Sequence, residues 1–274
     1  KEYELFSFYE INLEDKEAVD HLFKKEEPQR AIHLAAQAGV RYSIQHPEVY
    51  IQSNIVGTFN ILEGCRHNKV EHLVYASTSS AYGLNTKYPF SVHDNVSHPV
   101  SLYGATKISN ELMAHSYSHL YAIPTTGLRF FTVYGPWGRP DMSYFLFTRN
   151  ILASKPIAIY NHGKMERDFT YIDDIVEGII LLIKSKKSKQ KIQHKIYNLG
   201  NNKPESLLKL LKLLEKFTGK QAKIKKTGMQ LGDVRHTYAE IKESKKDFNF
   251  CPKVKIDEGL AEFVNWFRIY HKVS

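Results

Sequence analysis

The chain has 274 residues, 42% hydrophobic and 24% charged, which is the composition of one large or two modest globular units and excludes a disordered or fibrous chain. With 38 Lys and Arg against 29 Asp and Glu the net charge is +9, so the partner expected is anionic: nucleic acid, a charged surface or a small anionic substrate. Two cysteines, Cys65 and Cys251, cannot build a disulfide framework or a cysteine zinc site, and no apolar run approaches the roughly 20 residues of a membrane helix.

No basic-then-apolar leader opens the sequence, so a cytoplasmic protein is expected. Residues 5–9 read as a strand. Residues 13–27 place Leu13, Ala18, Val19, Leu22 and Phe23 on one helical stripe behind Glu14 and Asp15. A short buried strand is predicted at 31–35, a long helix at 47–67, strands at 72–76 and 125–131, and a helix at 103–121 between them. Such alternation predicts an α/β fold, a Rossmann-like doubly wound parallel sheet with helices on both faces and ligands outside the carboxyl ends of its strands.

After Val133 the pattern loosens. Glycine and proline make 134–140 a loop, followed by a helix at 143–154 and a strand at 156–160. Strands at 168–172 and 195–200 flank a helix opened by Asp173 and Asp174, read as N-cap and dipole partner. From Pro204 come lysine-rich helix, a short strand near Ile224 and an amphipathic helix at 256–270. These elements predict a dinucleotide-type unit over 1–133, partly rejoined by 168–200, and a smaller interleaved α/β unit over 134–167 and 201–274. The lysine run at 184–191 has no interleaved aromatics and reads as a solvated loop, so no nucleic-acid partner is expected. His115 and His119 are four apart on a helix, but no third ligand accompanies them. They read as surface or interface residues, and no metal is expected. No glycine fingerprint for a dinucleotide pyrophosphate occurs, and the opening βαβ unit is expected to be missing from this sequence.

The strand at 72–76 runs into Ser77-Thr78-Ser79-Ser80-Ala81-Tyr82-Gly83, four consecutive hydroxyl residues where such a sheet binds ligands. Tyr103 and Lys107 stand four apart on one helical face. A phenol with a pKa near 10 is a poor base, and a neighbouring ammonium favours its phenolate. Bringing it near 7 needs roughly 4 kcal/mol of such help. Thr78 could hold the substrate oxygen whose proton the tyrosine takes.

On these motifs, together with 33–41, 128–142 and 167–174, the chain resembles the extended short-chain dehydrogenase/reductase superfamily and, within it, the nucleotide-sugar 4-epimerases. Gly-Pro-Trp-Gly-Arg-Pro-Asp-Met at 135–142 is most similar to those acting on UDP-glucuronate rather than UDP-galactose. The resemblance implies bound NAD, proton transfer by Tyr103 and a transient 4-keto sugar. It matches Thr78 to the catalytic Ser/Thr, Lys107 to the lysine on the nicotinamide ribose, and Asn12, Leu13, Leu34, Ala35, Ala36, Gln37, Asn54, Ser77 and Phe130 to the cofactor side. Substrate contacts fall on Thr78, Ser79, Ser80, Thr132, Arg139, Arg167 and Arg235, the two latter on the diphosphate. Relatives that eliminate water carry acids just after the catalytic Ser/Thr. Ser79 and Ser80 stand there instead, which favours epimerisation. Trp137 either packs its loop or meets the substrate, Arg129 and Asp168 read as structural ion-pair residues, and a homodimer through the helices at 47–67 and 103–121 is implied.

Overall fold

Asp15 fixes where the first helix begins. Its carboxylate accepts the Ala18 N–H at 3.1 Å, so α1 runs over Lys16–Glu26 rather than from Leu13. This computed structural model describes residues 3–185 and 193–273, and positions 186–191 of the lysine run lie outside the described residues. Residues 5–9 form no strand: Leu5, Phe6 and Phe8 are exposed, and with no partner strand alongside, β propensity alone does not hold an extended ladder.

Strand β1 covers Arg30–His33. The helix expected over 47–67 is preceded by α2 at Tyr42–Gln45 and is divided into α3 at Pro47–Tyr50, a π-helical stretch at Ile51–Val56 and α4 at Gly57–His67. The wide turn carries the fully buried Asn54, whose side chain bonds outside the helix. β2 at His72–Thr78, α5 at Leu102–Tyr121 and β3 at Thr125–Phe130 complete the first half. Then follow β4 at Thr132–Tyr134, α6 at Ser143–Leu152, β5 at Pro156–Ile159, β6 at Glu166–Tyr171 and α7 at Ile172–Lys184. β7 at His194–Leu199, β8 at Pro204–Ser206, α8 at Leu207–Thr218, β9 at Lys223–Lys226, α9 at Lys242–Phe248 and α10 at Ile256–His271 end the chain.

The main sheet has the order β1-β2-β3-β7 and is parallel throughout, as its alternation with helices requires. Its faces separate at a period of two. Leu73 and Tyr75 pack with Val19, Phe23, Leu62 and Ala114, whereas Val74 joins Leu128, Ile175, Ile179 and Tyr197 on the other side. A third cluster, with Tyr134, Phe145, Ile157, Leu210, Phe263 and Phe267, binds α6, α8 and α10. Beside it lie a β4-β6-β8 sheet and a β5-β9 pair. Among the described residues no helix is long and apolar enough to cross a membrane.

Two buried acids play parts beyond those expected. Asp173 and Asp174 do lie in the first turn of α7, where acids suit the helix dipole, but neither caps it, the N-cap being Tyr171; the Asp174 carboxylate accepts the N–H groups of Lys253 and Val254, both at 3.0 Å, and ties α7 to the approach of α10. Among the described residues Asp168 pairs with no cation. It accepts backbone N–H groups from Asn201 at 2.6 Å and Ala239 at 2.9 Å, and burial pushes its pKa up to about 6 against those bonds. Arg129 is an ion-pair residue, bound to Glu111. His115 packs edge-on to His194 at 5.3 Å, and no group of three metal-ligating side chains exists among the described residues.

Candidate active site

β2 delivers its hydroxyl run to the end of the sheet, where Thr78 caps a 3₁₀ turn, Ser79–Tyr82, by accepting the Ser80 N–H at 3.1 Å. α5 begins beside it, capped by Ser101, whose hydroxyl accepts the Gly104 N–H at 3.1 Å. The turn and the helix can approach because Gly104 has no side chain: a Cβ there would stand 2.9 Å from the Ser80 carbonyl. Tyr103 thereby shares the cleft wall with Thr78, whose hydroxyl favours the phenolate. One turn along, the Lys107 ammonium donates to the Ala76 carbonyl at 2.9 Å while its side chain is 2% exposed.

These groups stand on the wall of a cleft of about 990 Å³. Of the residues singled out from sequence, the cleft brings together Leu34, Ala36, Ser77, Thr78, Ser79, Ser80, Tyr103, Lys107, Phe130, Thr132, Arg139 and Arg167. Ser77 lines it while its hydroxyl donates to Glu111 at 2.5 Å. Asn12, Leu13, Ala35, Gln37, Asn54 and Arg235 are not on its wall. Asn54 instead braces the loop that is: it accepts the Gln37 N–H at 2.8 Å and donates to the Gln37 carbonyl and to Thr106, each at 3.1 Å. Asn12 accepts the Glu14 N–H, and the Leu13 carbonyl accepts from Asn60. The Arg235 side chain is exposed, and its carbonyl accepts an Arg167 guanidinium N–H at 3.3 Å.

Burial raises the Tyr103 pKa, and the Thr78 hydrogen bond and then the Arg139 cation work against it. Burial lowers Lys107 to about 8. The opposition to burial at the phenol therefore comes from Thr78 and Arg139, a pairing that the helical spacing of Tyr103 and Lys107 does not reveal. Arg139 itself forms a two-bond fork with Asp141, at 2.9 and 3.0 Å. At the far end, burial and the like charge of Arg41 disfavour the Arg167 cation, and Asp233 favours it. Positive charge gathered in a partly desolvated cleft is an arrangement that an anion completes.

Sequence reading missed Arg41 and Asp233, which pair at 3.3 Å across 192 residues, with Arg41 also over the Tyr160 ring at 4.8 Å. No periodicity joins residues so far apart. It also missed Tyr50, which donates to the Gly39 carbonyl at 2.5 Å and sets its ring edge-on to Tyr103 at 6.1 Å. Trp137 lines the cleft and packs on Trp266 at 5.5 Å and Tyr270 at 4.9 Å, both on α10.

Comparison with known proteins places this arrangement. A profile of the NAD dependent epimerase/dehydratase family matches residues 1–200. Protein CapI of Staphylococcus aureus is 50% identical, over 98% of this chain and 84% of its own length. The probable UDP-glucuronate 4-epimerase of Rhizobium meliloti is 45% identical, over 93% of this chain and 79% of its own. The crystal structure of UDP-glucuronic acid 4-epimerase from Bacillus cereus, in complex with UDP-glucuronic acid and NAD, superposes with a TM-score of 0.84 at 33% identity, covering 92% of this chain and 78% of that one.

Proposed function

Since the chain belongs to the NAD dependent epimerase/dehydratase family, we propose that it is an NAD-dependent epimerase acting at C4 of a UDP-sugar, with UDP-glucuronate and UDP-galacturonate as its substrate pair. The observation that carries the reading is the meeting of Thr78, Tyr103 and Lys107 on one wall of a cleft whose other walls hold Arg139 and Arg167.

The residues present fit the nicotinamide-ribose end of the cofactor. Lys107 is buried at the cleft wall and gives a single hydrogen bond to Ala76, leaving ammonium donors for a ribose diol. Leu34 and Ala36 offer an apolar wall, and Asn54 holds the loop that carries them. Bound NAD supplies a hydride acceptor and donor at C4, so the cycle has no net oxidation. Tyr103 takes the C4 hydroxyl proton and returns it, with Thr78 holding the same oxygen in line. The Lys107 ammonium favours the phenolate, and the Thr78 bond and Arg139 already do so. Arg139 reads the sugar carboxylate and Arg167 the diphosphate, each suited by its planar donors. Ser79 and Ser80, carrying no acid, leave the C5 proton in place.

The unit over 1–133 with 168–200 holds the cofactor and the unit over 134–167 with 201–274 the sugar. Exposed Phe59, Leu112 and Leu120 on α4 and α5 support a homodimer through those helices, and the cytoplasm is the expected setting. Proton NMR of UDP-glucuronate with the full-length protein tests the function. Growth of the UDP-galacturonate anomeric signal without consumption of added NAD is the expected result. Arg139→Leu is expected to lose this conversion by roughly a hundredfold and any on UDP-glucose by far less, the smaller loss being its share in favouring the Tyr103 phenolate. Conversion of UDP-glucose or UDP-N-acetylglucosamine alone would move the substrate to a neutral sugar, and no conversion of any would overturn the reading.

A further inference from the structure

Tyr103, Lys107 and Glu111 lie at i, i+4 and i+8 on α5 and therefore share a face. Each faces one of three successive residues at the end of β2. Tyr103 meets Thr78, Lys107 donates to the Ala76 carbonyl at 2.9 Å, and Glu111 accepts from the Ser77 hydroxyl at 2.5 Å. The first two contacts belong to the chemistry proposed above, and the third does not: Glu111 is absent from the cleft wall.

Its carboxylate is nonetheless held on every side. One oxygen takes Ser77 and the Arg129 Nε–H at 2.9 Å, and the other takes Arg129 Nη2 at 2.7 Å. Arg129 is the register partner of Ser77 on β3, so the guanidinium and the hydroxyl reach Glu111 from neighbouring strands. Ser77, Glu111 and Arg129 are all buried. The third Arg129 nitrogen has no hydrogen-bond partner, and the guanidinium lies over the Tyr82 ring at 4.9 Å, itself anchored by its hydroxyl to Asn198 at 2.6 Å. A carboxylate with both oxygens engaged by a planar fork cannot rotate away. The Lys107 contact is looser, a four-carbon stem on a single carbonyl, and it must also serve the cofactor.

We propose that Glu111 is a positioning residue for the epimerase reaction: clamped by Arg129, it fixes Ser77 against α5 and thereby sets the distance between Thr78 and Tyr103. The inference rests on the proposed roles of those two residues. Glu111 touches no reacting atom, so its removal is expected to slow turnover without weakening substrate binding.

Ser77→Ala tests it with the least disturbance, since it deletes one hydroxyl and leaves the Glu111–Arg129 pair whole. The expected result is a fall in kcat on the order of tenfold or more, because small misplacements of reacting groups carry penalties of that size. KM is expected to stay within about twofold and Tm close to wild type. The acid limb of the kcat profile should move to higher pH as the Thr78 bond to the phenol loosens, a change that mere loss of stability would not make. Ser77→Cys, with a weaker donor of similar size, should recover part of the loss. Glu111→Gln is a second route to the same signature in whatever fraction folds. An unchanged kcat in Ser77→Ala, or equal losses in kcat, affinity and Tm with no shift of the limb, would overturn the positioning role. Tyr103→Phe separates this from failure of the parent reading: activity surviving there, or a wild type inactive on every UDP-sugar, would remove the roles of Tyr103 and Thr78 and the ladder with them.

Discussion

Lys107 carries a charge in a place that disfavours one. Burial holds its pKa down at about 8 from the usual 10.5, so at pH 7 the folded protein bears an ammonium at a cost its unfolded chain does not meet. The sign follows: between about pH 8 and 10.5 the unfolded state binds more protons, so stability rises with pH across that window and the penalty is full below it. Lys107→Met should therefore unfold at higher urea concentration at pH 7, gaining on the order of 1–2 kcal/mol after the lost bond to Ala76 is subtracted. The same variant should lose on the order of a hundredfold in kcat, the usual scale for removing an acid–base partner. Lower stability together with full activity would show that the ammonium is structural. The tyrosine and lysine were legible because a helical repeat of four is visible in any sequence. The partners that tune them were not: Arg139 influences Tyr103 only because the loop after β4 lines the same cleft.

At the level of elements, the site depends on a turn and a helix being closer than side chains normally allow. Gly104 sits between Tyr103 and the Ser80 carbonyl, with 2.9 Å available for a Cβ, and Gly83 follows the turn at φ +49° with the His98 carbonyl 1.9 Å from where its Cβ would be. Alanine at position 104 would gain about 1 kcal/mol of helix propensity and lose a similar amount to crowding. Gly104→Ala should accordingly keep its Tm within a few degrees but lower kcat by on the order of tenfold, by pushing Thr78 away from Tyr103. A wild-type kcat in that variant would mean that the turn has room to spare. Sequence reading named Thr78, Tyr103 and the strand and helix bearing them but passed over Gly104, whose purpose is visible only once the turn is seated on it. Similar limits applied elsewhere. Three-residue strands such as β4 and β8 are too short for periodicity, and the π-helical stretch before α4 keeps an apolar pattern that an unbroken α-helix also fits. The parallel order of β1, β2 and β3, by contrast, was readable because each strand is a β-rich apolar run separated by a helix.

For the molecule as a whole, the buried titratable groups make stability depend on pH in opposing ways. His33, at the end of β1, bonds Thr58 at 3.0 Å, and burial followed by the nearby Lys107 cation lowers its pKa to about 4. His194 is also lowered to about 4, by burial and then by His115. Between about pH 4 and 6.5 the unfolded chain binds the protons that these rings refuse, so stability falls as the pH drops through that range. Asp168 acts in the other direction: raised to about 6, it binds a proton when folded that it lacks when unfolded, and its contribution is present below about pH 4 and lost as pH rises to 6. Two groups against one leave a net loss in acid. The Lys107 cation adds to burial in disfavouring a charged His33 ring, so the acid sensitivity of the two histidines need not be shared equally. His33→Gln should separate them. Denaturant titrations at pH 7.5 and 5.0 should show the wild type losing about 2 kcal/mol more than the variant, the share of one ring shifted from 6.5 to about 4. Equal losses in the two proteins would place the acid sensitivity in His194 or in the surface charge.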